Sequence, residues 1–514
     1  MVNIIKTATA IGINAYEVSV ETDVVNSLPA MSIVGLPDAS INEARDRVRS
    51  AIKNSGYSFP SKKVVVNLAP ADLKKIGTSF DLPIAIGILT EEEVLDSEKL
   101  KDYAFIGELS LDGTIRAVAG VLPLVLGLKE VGIKNVIVPK ENAKEAALNG
   151  GVNVYGATHL TDVVNHFIET KITPTVVDVS AYLNSQTNQN YPFDFKDVKG
   201  QHKAKKALEI AAAGGHNLLM IGSPGSGKTL MAKCFASILP PLELSEALEL
   251  TKIYSICGLL PTDEPLMVKR PYRSVHHTAS ANGIIGGGSS PKPGEITLAN
   301  RGVLFLDEMV EFPRQVLEVL RQPLEDGEIV ISRAKHSVKY PAKFMLLGAM
   351  NPCPCGFLGD KEKQCTCSDF QINRYLSKLS GPLLDRIDIQ VDVPRLTPTE
   401  LLATTEIEED SATIRKRVIA ARKIQAIRYK NDNILTNSEL TSELIKKYCQ
   451  LDSKSQELMK VAIVKYQLSG RRYDRVLKLA RTIADLANSE NIQQIHLMQA
   501  LQYKMFNIEN YTNK

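Results

Sequence analysis

The sequence predicts a multidomain α/β protein: a mixed α/β domain first, a second α/β domain around a buried parallel sheet, and a helical C-terminal region. Three patterns carry this reading. Up to about residue 172, short β-rich runs alternate with helical periodicity, punctuated by Gly and Pro. From Asp194 on, unbroken apolar runs at 218–221, 303–306 and 344–347 suit parallel strands covered on both faces. After Pro398 the spacing is helical, with helices expected over 412–429, 438–449, 454–467, 473–488 and 495–503.

A chain of 514 residues exceeds one ordinary core. Boundaries are expected at 1–172, a linker at 173–193, an α/β core at 194–395 and the helical region at 396–514. In the first domain, strands are expected at 31–34, 64–67, 105–106 and 136–138, with a helix over 39–55. The linker is placed on the polar stretch 184–190, which has almost nothing to bury.

Composition narrows the function classes. With 44% hydrophobic and 23% charged residues and a net charge of +3, any nucleic-acid surface must be a local patch rather than a global field. The longest apolar run, 118–128, is about half of what a bilayer requires and contains Pro123, so no membrane partner is expected. The start of the chain lacks a signal-peptide pattern, and a cytoplasmic location is expected. Of seven cysteines, four crowd between Cys353 and Cys367, which in that compartment suggests metal rather than disulfides.

The most specific motif is the phosphate loop Gly222, Ser223, Pro224, Gly225, Ser226, Gly227, Lys228 and Thr229, lying between a strand and a helix start. Its glycines let backbone N–H groups turn toward phosphates, Lys228 supplies a cation, and Thr229 offers a hydroxyl to Mg²⁺. ATP with Mg²⁺ is the expected ligand. About 80 residues later an apolar run ends in Asp307 and Glu308. Asp307 is expected to hold the Mg²⁺ water shell and Glu308 to polarise the attacking water. A third run ends in Asn351, which is either a sensor of the γ-phosphate or a cap on the turn before Pro352.

Two arginine groups complete the chemistry. Arg386 lies between Asp385 and Asp388 and is a candidate for donation to a neighbouring subunit's nucleotide, the alternative being an ion pair with those carboxylates. Arg471 and Arg475 begin a helix of the C-terminal region, either as nucleotide contacts or as a solvated basic face. Cys353, Cys355, Cys365 and Cys367 form two Cys-x-Cys units across a short loop that Gly356 and Gly359 allow to bend back. Four thiolates suit a closed structural Zn²⁺ site, with free thiols or an iron–sulfur cluster as alternatives. A basic turn bearing Arg333, Lys335 and His336 lies within an alternating stretch that reads as a β-hairpin, a place to grip phosphates or merely a solvated tip. Gly283 to Gly288, with Lys292 beyond, is a candidate second loop of this kind.

In this order, these motifs resemble the AAA+ superfamily. The segments Gly283-Ile-Ile-Gly-Gly-Gly, Pro293-Gly-Glu-Ile-Thr-Leu-Ala-Asn-Arg-Gly, Gln322-Pro-Leu-Glu-Asp-Gly-Glu and Asn351-Pro-Cys-Pro-Cys-Gly resemble the ComM/YifB family, often labelled magnesium-chelatase-like. The likeness runs almost end to end. It implies a homo-hexameric ring acting as a branch-migration helicase on single-stranded or branched DNA in natural transformation and homologous recombination, beside recombination proteins. It also implies that the hairpin bearing Arg333 points into the ring's channel. The alternative is a chelatase-type motor that remodels a partner protein. The N-terminal domain resembles the proteolytic domain of Lon through Gly107-Glu-Leu-Ser-Leu-Asp-Gly and Gly132-Ile-Lys-Asn-Val-Ile-Val-Pro. That likeness places Ser79 at the nucleophile and Leu122 where the lysine belongs. A serine without its base is a poor nucleophile, so a non-proteolytic module is expected.

Overall fold

The computed structural model describes residues 3–184, 191–261, 263–288, 292–332, 337–360, 362–397, 400 and 408–504. The polar stretch 185–190, and with it most of the expected linker signal, lies outside them. The chain divides into two units: residues 1–186 with 243–268 and 332–340, and residues 187–242 with 269–331 and 341–514.

The first unit is built on a seven-stranded mixed sheet ordered Ala30–Val34, Lys63–Ala69, Asn14–Val25, Asn3–Ile11, Tyr103–Phe105, Asn135–Pro139, Asn153–Ala157. Three of these contain the strands expected at 31–34, 64–67 and 136–138, and Tyr103–Phe105 shares only Phe105 with the one expected at 105–106. The long antiparallel pair, in register from Asn3 opposite Thr22 to Ile11 opposite Asn14, escaped that reading. Its inward positions include Thr7, Thr9 and Thr22, all buried, so the alternation of apolar and polar residues is blurred. Helix Asp81–Glu91 buries nearly every side chain. Helix Val121–Glu130 starts on Gly120, which offers no side-chain cap. The buried carboxylate of Glu145 takes that role, accepting from the backbone N–H of Leu122 at 2.9 Å and from the Ser255 hydroxyl of helix Leu244–Ile256. Leu122 is fully buried and apolar, so it gives Ser79 no proton acceptor.

The second unit centres on a parallel five-stranded sheet ordered Tyr272–Val275, Val303–Leu306, Met345–Met350, Leu218–Ile221, Ile389–Asp392. Every residue of the three middle strands is buried, which is why they read as unbroken apolar runs. Helices cover the sheet, including His202–Gly214 and Lys228–Ile238. The C-terminal helices Ser411–Arg428, Ser442–Tyr448, Ser453–Tyr466, Gly470–Leu486 and Gln494–Lys504 follow the expected periodicity closely. Four of them start on a side-chain cap: Asp410, Thr441, Asp452 and Ser469 each accept from a first-turn N–H.

These helices are tied together at Asp485, whose side chain is completely buried. It accepts from Arg428 at 2.5 and 3.0 Å, from Arg481 at 3.1 Å and from the Asn437 amide at 2.9 Å. Breaking a buried ion pair strands the remaining charge, at a cost of about 3–5 kcal/mol. Arg428→Met is therefore expected to lower the unfolding free energy by about 3 kcal/mol, read as a shifted denaturant midpoint with unchanged slope. An unshifted midpoint would show that Asp485 is held by Arg481 and Asn437 alone.

Candidate nucleotide site and cysteine cluster

Strand register builds the site. Ile221 stands opposite Met350, and Leu306 opposite Gly348, so the C-terminal ends of the three middle strands reach one edge of the sheet together. The phosphate loop, Asp307 and Asn351 all leave from that edge, where open parallel sheets bind ligands. Helix Lys228–Ile238 begins on Gly227, whose φ of +91° places it in the left-handed region. Gly227 has no side chain to cap the first turn, where the N–H groups and the positive end of the helix suit an anion.

Lys228 is buried, and its Nζ donates to the carbonyls of Gly222 at 2.8 Å and Ser223 at 3.0 Å, and to Asn351 Oδ1 at 3.3 Å. Burial, only partly offset by Asp307 and Glu308, brings the ammonium down to about 8. The Thr229 hydroxyl donates to Asp307 Oδ2 at 2.8 Å, so the two expected Mg²⁺ residues already touch. The other oxygen, Oδ1, accepts from the Glu308 N–H at 2.9 Å. These oxygens are the hard donors that Mg²⁺ takes beside phosphate. Glu308 has a positive φ of 49° and an exposed carboxylate 3.6 Å from His277 Nδ1. Sequence reasoning missed His277, which follows strand Tyr272–Val275, a strand too polar to stand out.

The arginines gather elsewhere. Asp388 N–H donates to the Asn217 carbonyl, and Asn217 Nδ2 to the Arg386 carbonyl. Arg386 therefore sits level with the start of strand Leu218–Ile221, at the sheet edge opposite the phosphate loop. Its partner is neither Asp385 nor Asp388 but Glu325, with Pro382 O accepting a second bond at 2.7 Å. It is 7% exposed, and its Nε is buried without a hydrogen-bond partner among the described residues. Burial, and then the cations of Arg321, Arg471 and Arg475, pull its pKa below the usual arginine value. Arg471 reaches Glu325 at 3.4 Å, and Arg475 reaches Asp388 at 3.2 Å. Arg386, Arg471, Arg475 and Lys478 line one cavity of about 350 Å³. Glu325 lies 61 residues from Arg386 in sequence, and no local signal joins them.

The four cysteines converge. Their sulfurs all lie within 4.8 Å of one another, with Cys353 Sγ 3.4 Å from Cys355 Sγ and 3.7 Å from Cys365 Sγ. A tetrahedral ion with Zn–S bonds of about 2.3 Å requires sulfurs about 3.8 Å apart, so the set fits zinc. At Cys355 burial opposes ionisation, yet the N–H groups of Phe357 and Thr366, with the thiols of Cys353 and Cys367, together outweigh it and bring the thiol down to about 6. Such an ion would close the loop, since all four donors come from the chain. Strands Glu328–Ser332 and Ser337–Pro341 pair as the expected hairpin, while its tip with Arg333, Lys335 and His336 lies outside the described residues. The glycine-rich stretch folds as helix Ala281–Ile285 followed by Gly286–Gly287, which pairs with Lys292–Pro293.

This arrangement defines a class, the magnesium-chelatase-like AAA+ ATPases. The family profile described as magnesium chelatase, subunit ChlI, matches residues 194–401. The profile for subunit ChlI of Mg-chelatase matches 20–142, and that for the ChlI C-terminal part matches 408–504. The chain is 42% identical to an uncharacterized protein YifB of Salmonella typhimurium, over 98% of this chain and 96% of the relative. It is equally 42% identical to the competence protein ComM of Haemophilus influenzae, over 98% and 97%. The magnesium-chelatase 38 kDa subunit of Cereibacter sphaeroides is 27% identical over 31% of this chain and 53% of its own length. The chain belongs to the YifB/ComM family.

Metal analysis of the purified chain is expected to find one zinc per molecule, and Cys365→Ser to lose most of it. A wild type without zinc would leave the cysteines as free thiols, and iron with visible absorbance would replace zinc by a cluster.

Proposed function

We propose that this protein is an ATP-driven DNA translocase that works as a hexameric ring on single-stranded or branched DNA during competence and recombination. The observation that carries the reading is the end-to-end match to the competence protein ComM, N-terminal domain included, on a chain that retains the full set of phosphate-loop residues. ATP is held by residues 222–229, and Mg²⁺ by Thr229 and Asp307. Glu308 positions the attacking water, and Asn351 carries the state of the γ-phosphate to Lys228 and the sheet. Arg386, at the sheet edge away from its own phosphate loop, serves the nucleotide of the next subunit, with Arg471 and Arg475 beside it. Core 194–395 and helical lid 396–514 form the motor, with 173–193 as linker. Residues 1–172 serve as a non-proteolytic binding or assembly module, and Arg333, Lys335 and His336 as the DNA grip.

Likeness to chelatase subunits supports a second reading, a motor that remodels a partner protein. ATP turnover with and without a four-way junction decides between them. Stimulation by the junction, with junction migration that a non-hydrolysable analogue fails to drive, is expected. Turnover indifferent to DNA from low to moderate salt favours the partner-remodelling motor. Lys228→Ala is expected to abolish nucleotide binding or hydrolysis, and Glu308→Gln to bind ATP while slowing hydrolysis by about a hundredfold or more. Arg386→Ala is expected to form normal rings that hydrolyse ATP about a thousandfold more slowly. Rings of this variant turning over at the wild-type rate would remove the neighbour's arginine from the mechanism.

A further inference from the structure

The loop 353–367 touches the phosphate loop at two consecutive residues. The Ser223 hydroxyl donates to Asp360 Oδ2 at 2.7 Å. The other carboxylate oxygen, Oδ1, accepts from the N–H groups of Glu362 at 2.9 Å and Lys363 at 3.1 Å, so its own loop aims the carboxylate. Next along, Pro224 lies against Gly356. A Cβ on Gly356, which has a φ of +85°, would stand 2.6 Å from Pro224 Cδ, closer than real contacts allow. Ser223 is also the residue whose carbonyl holds Lys228. At its start, the same loop leaves Asn351, which contacts Lys228 from the other side. The loop thus reaches the Lys228 cluster from two directions.

Its shape rests on the cysteines and on a few local bonds, among them Gly356 N–H to the Cys353 carbonyl at 3.0 Å and Asp360 N–H to the Phe357 carbonyl at 3.1 Å. Between Met350 and Ser368 the described backbone forms neither helix nor strand, and thiol–thiol contacts are weak hydrogen bonds. An ion on four thiolates is a far stronger tie, and its binding energy becomes ordering energy for the loop that supplies the donors. We propose that loop 353–367, closed by a metal ion on its four cysteines, is a buttress that holds Ser223 and Pro224 in their nucleotide-receiving positions, with Asp360 as the positioning residue. This rests on reading residues 222–229 as the nucleotide cradle. Metal occupancy then sets ATP affinity from outside the cradle, through the Asp360 carboxylate on Ser223.

The test uses the full-length zinc-loaded chain, a fluorescent ATP analogue in excess Mg²⁺, and a zinc-selective chelator. Stripping zinc from the wild type is expected to weaken analogue binding by about fivefold, with recovery on adding zinc back. Asp360→Ala is expected to keep its zinc and its thermal midpoint yet bind about threefold more weakly. Stripping zinc from Asp360→Ala should then add little, because both changes cut one linkage. Gly356→Ala, which displaces Pro224, should weaken binding with zinc retained. Wild-type affinity in both variants overturns the buttress, as does an equal loss on stripping zinc from the wild type and from Asp360→Ala. A wild type that binds no analogue under any condition instead defeats the cradle reading beneath it.

Discussion

The second unit is organised around one ammonium group taken out of water. Lys228 keeps company with two backbone carbonyls, one amide oxygen and, at 3.5 Å, the Ser226 hydroxyl, and its lowered pKa records what that desolvation costs. Each partner imposes a requirement on the fold. The carbonyls of Gly222 and Ser223 must turn inward, which curls the loop and leaves the first N–H groups of the helix facing outward. Asn351 must arrive at the same height, which requires strand Met345–Met350 to lie beside Leu218–Ile221 in register. Asp307 must come close without taking the lysine, and its bond to Thr229 achieves that. An anion on the loop offers the ammonium charged oxygens in place of dipoles, a stronger class of hydrogen bond. The cradle therefore fixes its lysine through dipoles, a weaker class of partner than a phosphate oxygen.

What the sequence made legible follows from which interactions are local. The phosphate loop is a contiguous stretch between strand and helix, and the three buried strands announce themselves as apolar runs because parallel strands are covered on both faces. Helix caps such as Asp410 and Ser469 are likewise local signals. Long-range pairings left no trace. Glu325 and Arg386 meet only because the helix Arg321–Asp326 and the turn before strand Ile389–Asp392 are brought together by the fold. Asp360 carries no local signal, since its bond to Ser223 spans 137 positions. The cysteine spacing gave the ligand set but not the surface that its loop rests on. The first two strands hid behind buried threonines, and Tyr272–Val275 behind its arginine and serine.

Strand direction also separates chemistry that a sequence list runs together. Lys228, Asp307, Glu308 and Asn351 leave the ends of parallel strands, whereas Arg386 precedes the start of one. Four strand residues at about 3.3 Å each put roughly 13 Å of sheet between the two levels. An arginine held at the wrong edge cannot complete its own subunit's phosphate site without unmaking the sheet. Under the proposed function it does not need to. Arg386 lies against a cavity rich in cations, bound to Glu325 and Pro382, with one buried N–H unmatched among the described residues. Removing that guanidinium from water is unfavourable unless something repays it, and a neighbour's phosphate is an anion of the right shape for a bidentate contact. For that contact Glu325 must yield, and Arg471, which shares Glu325 from the C-terminal helices, is placed to take part in the exchange. Under that proposal hydrolysis depends on a second copy of the chain, and the pairing with Glu325 keeps the arginine occupied until that copy arrives.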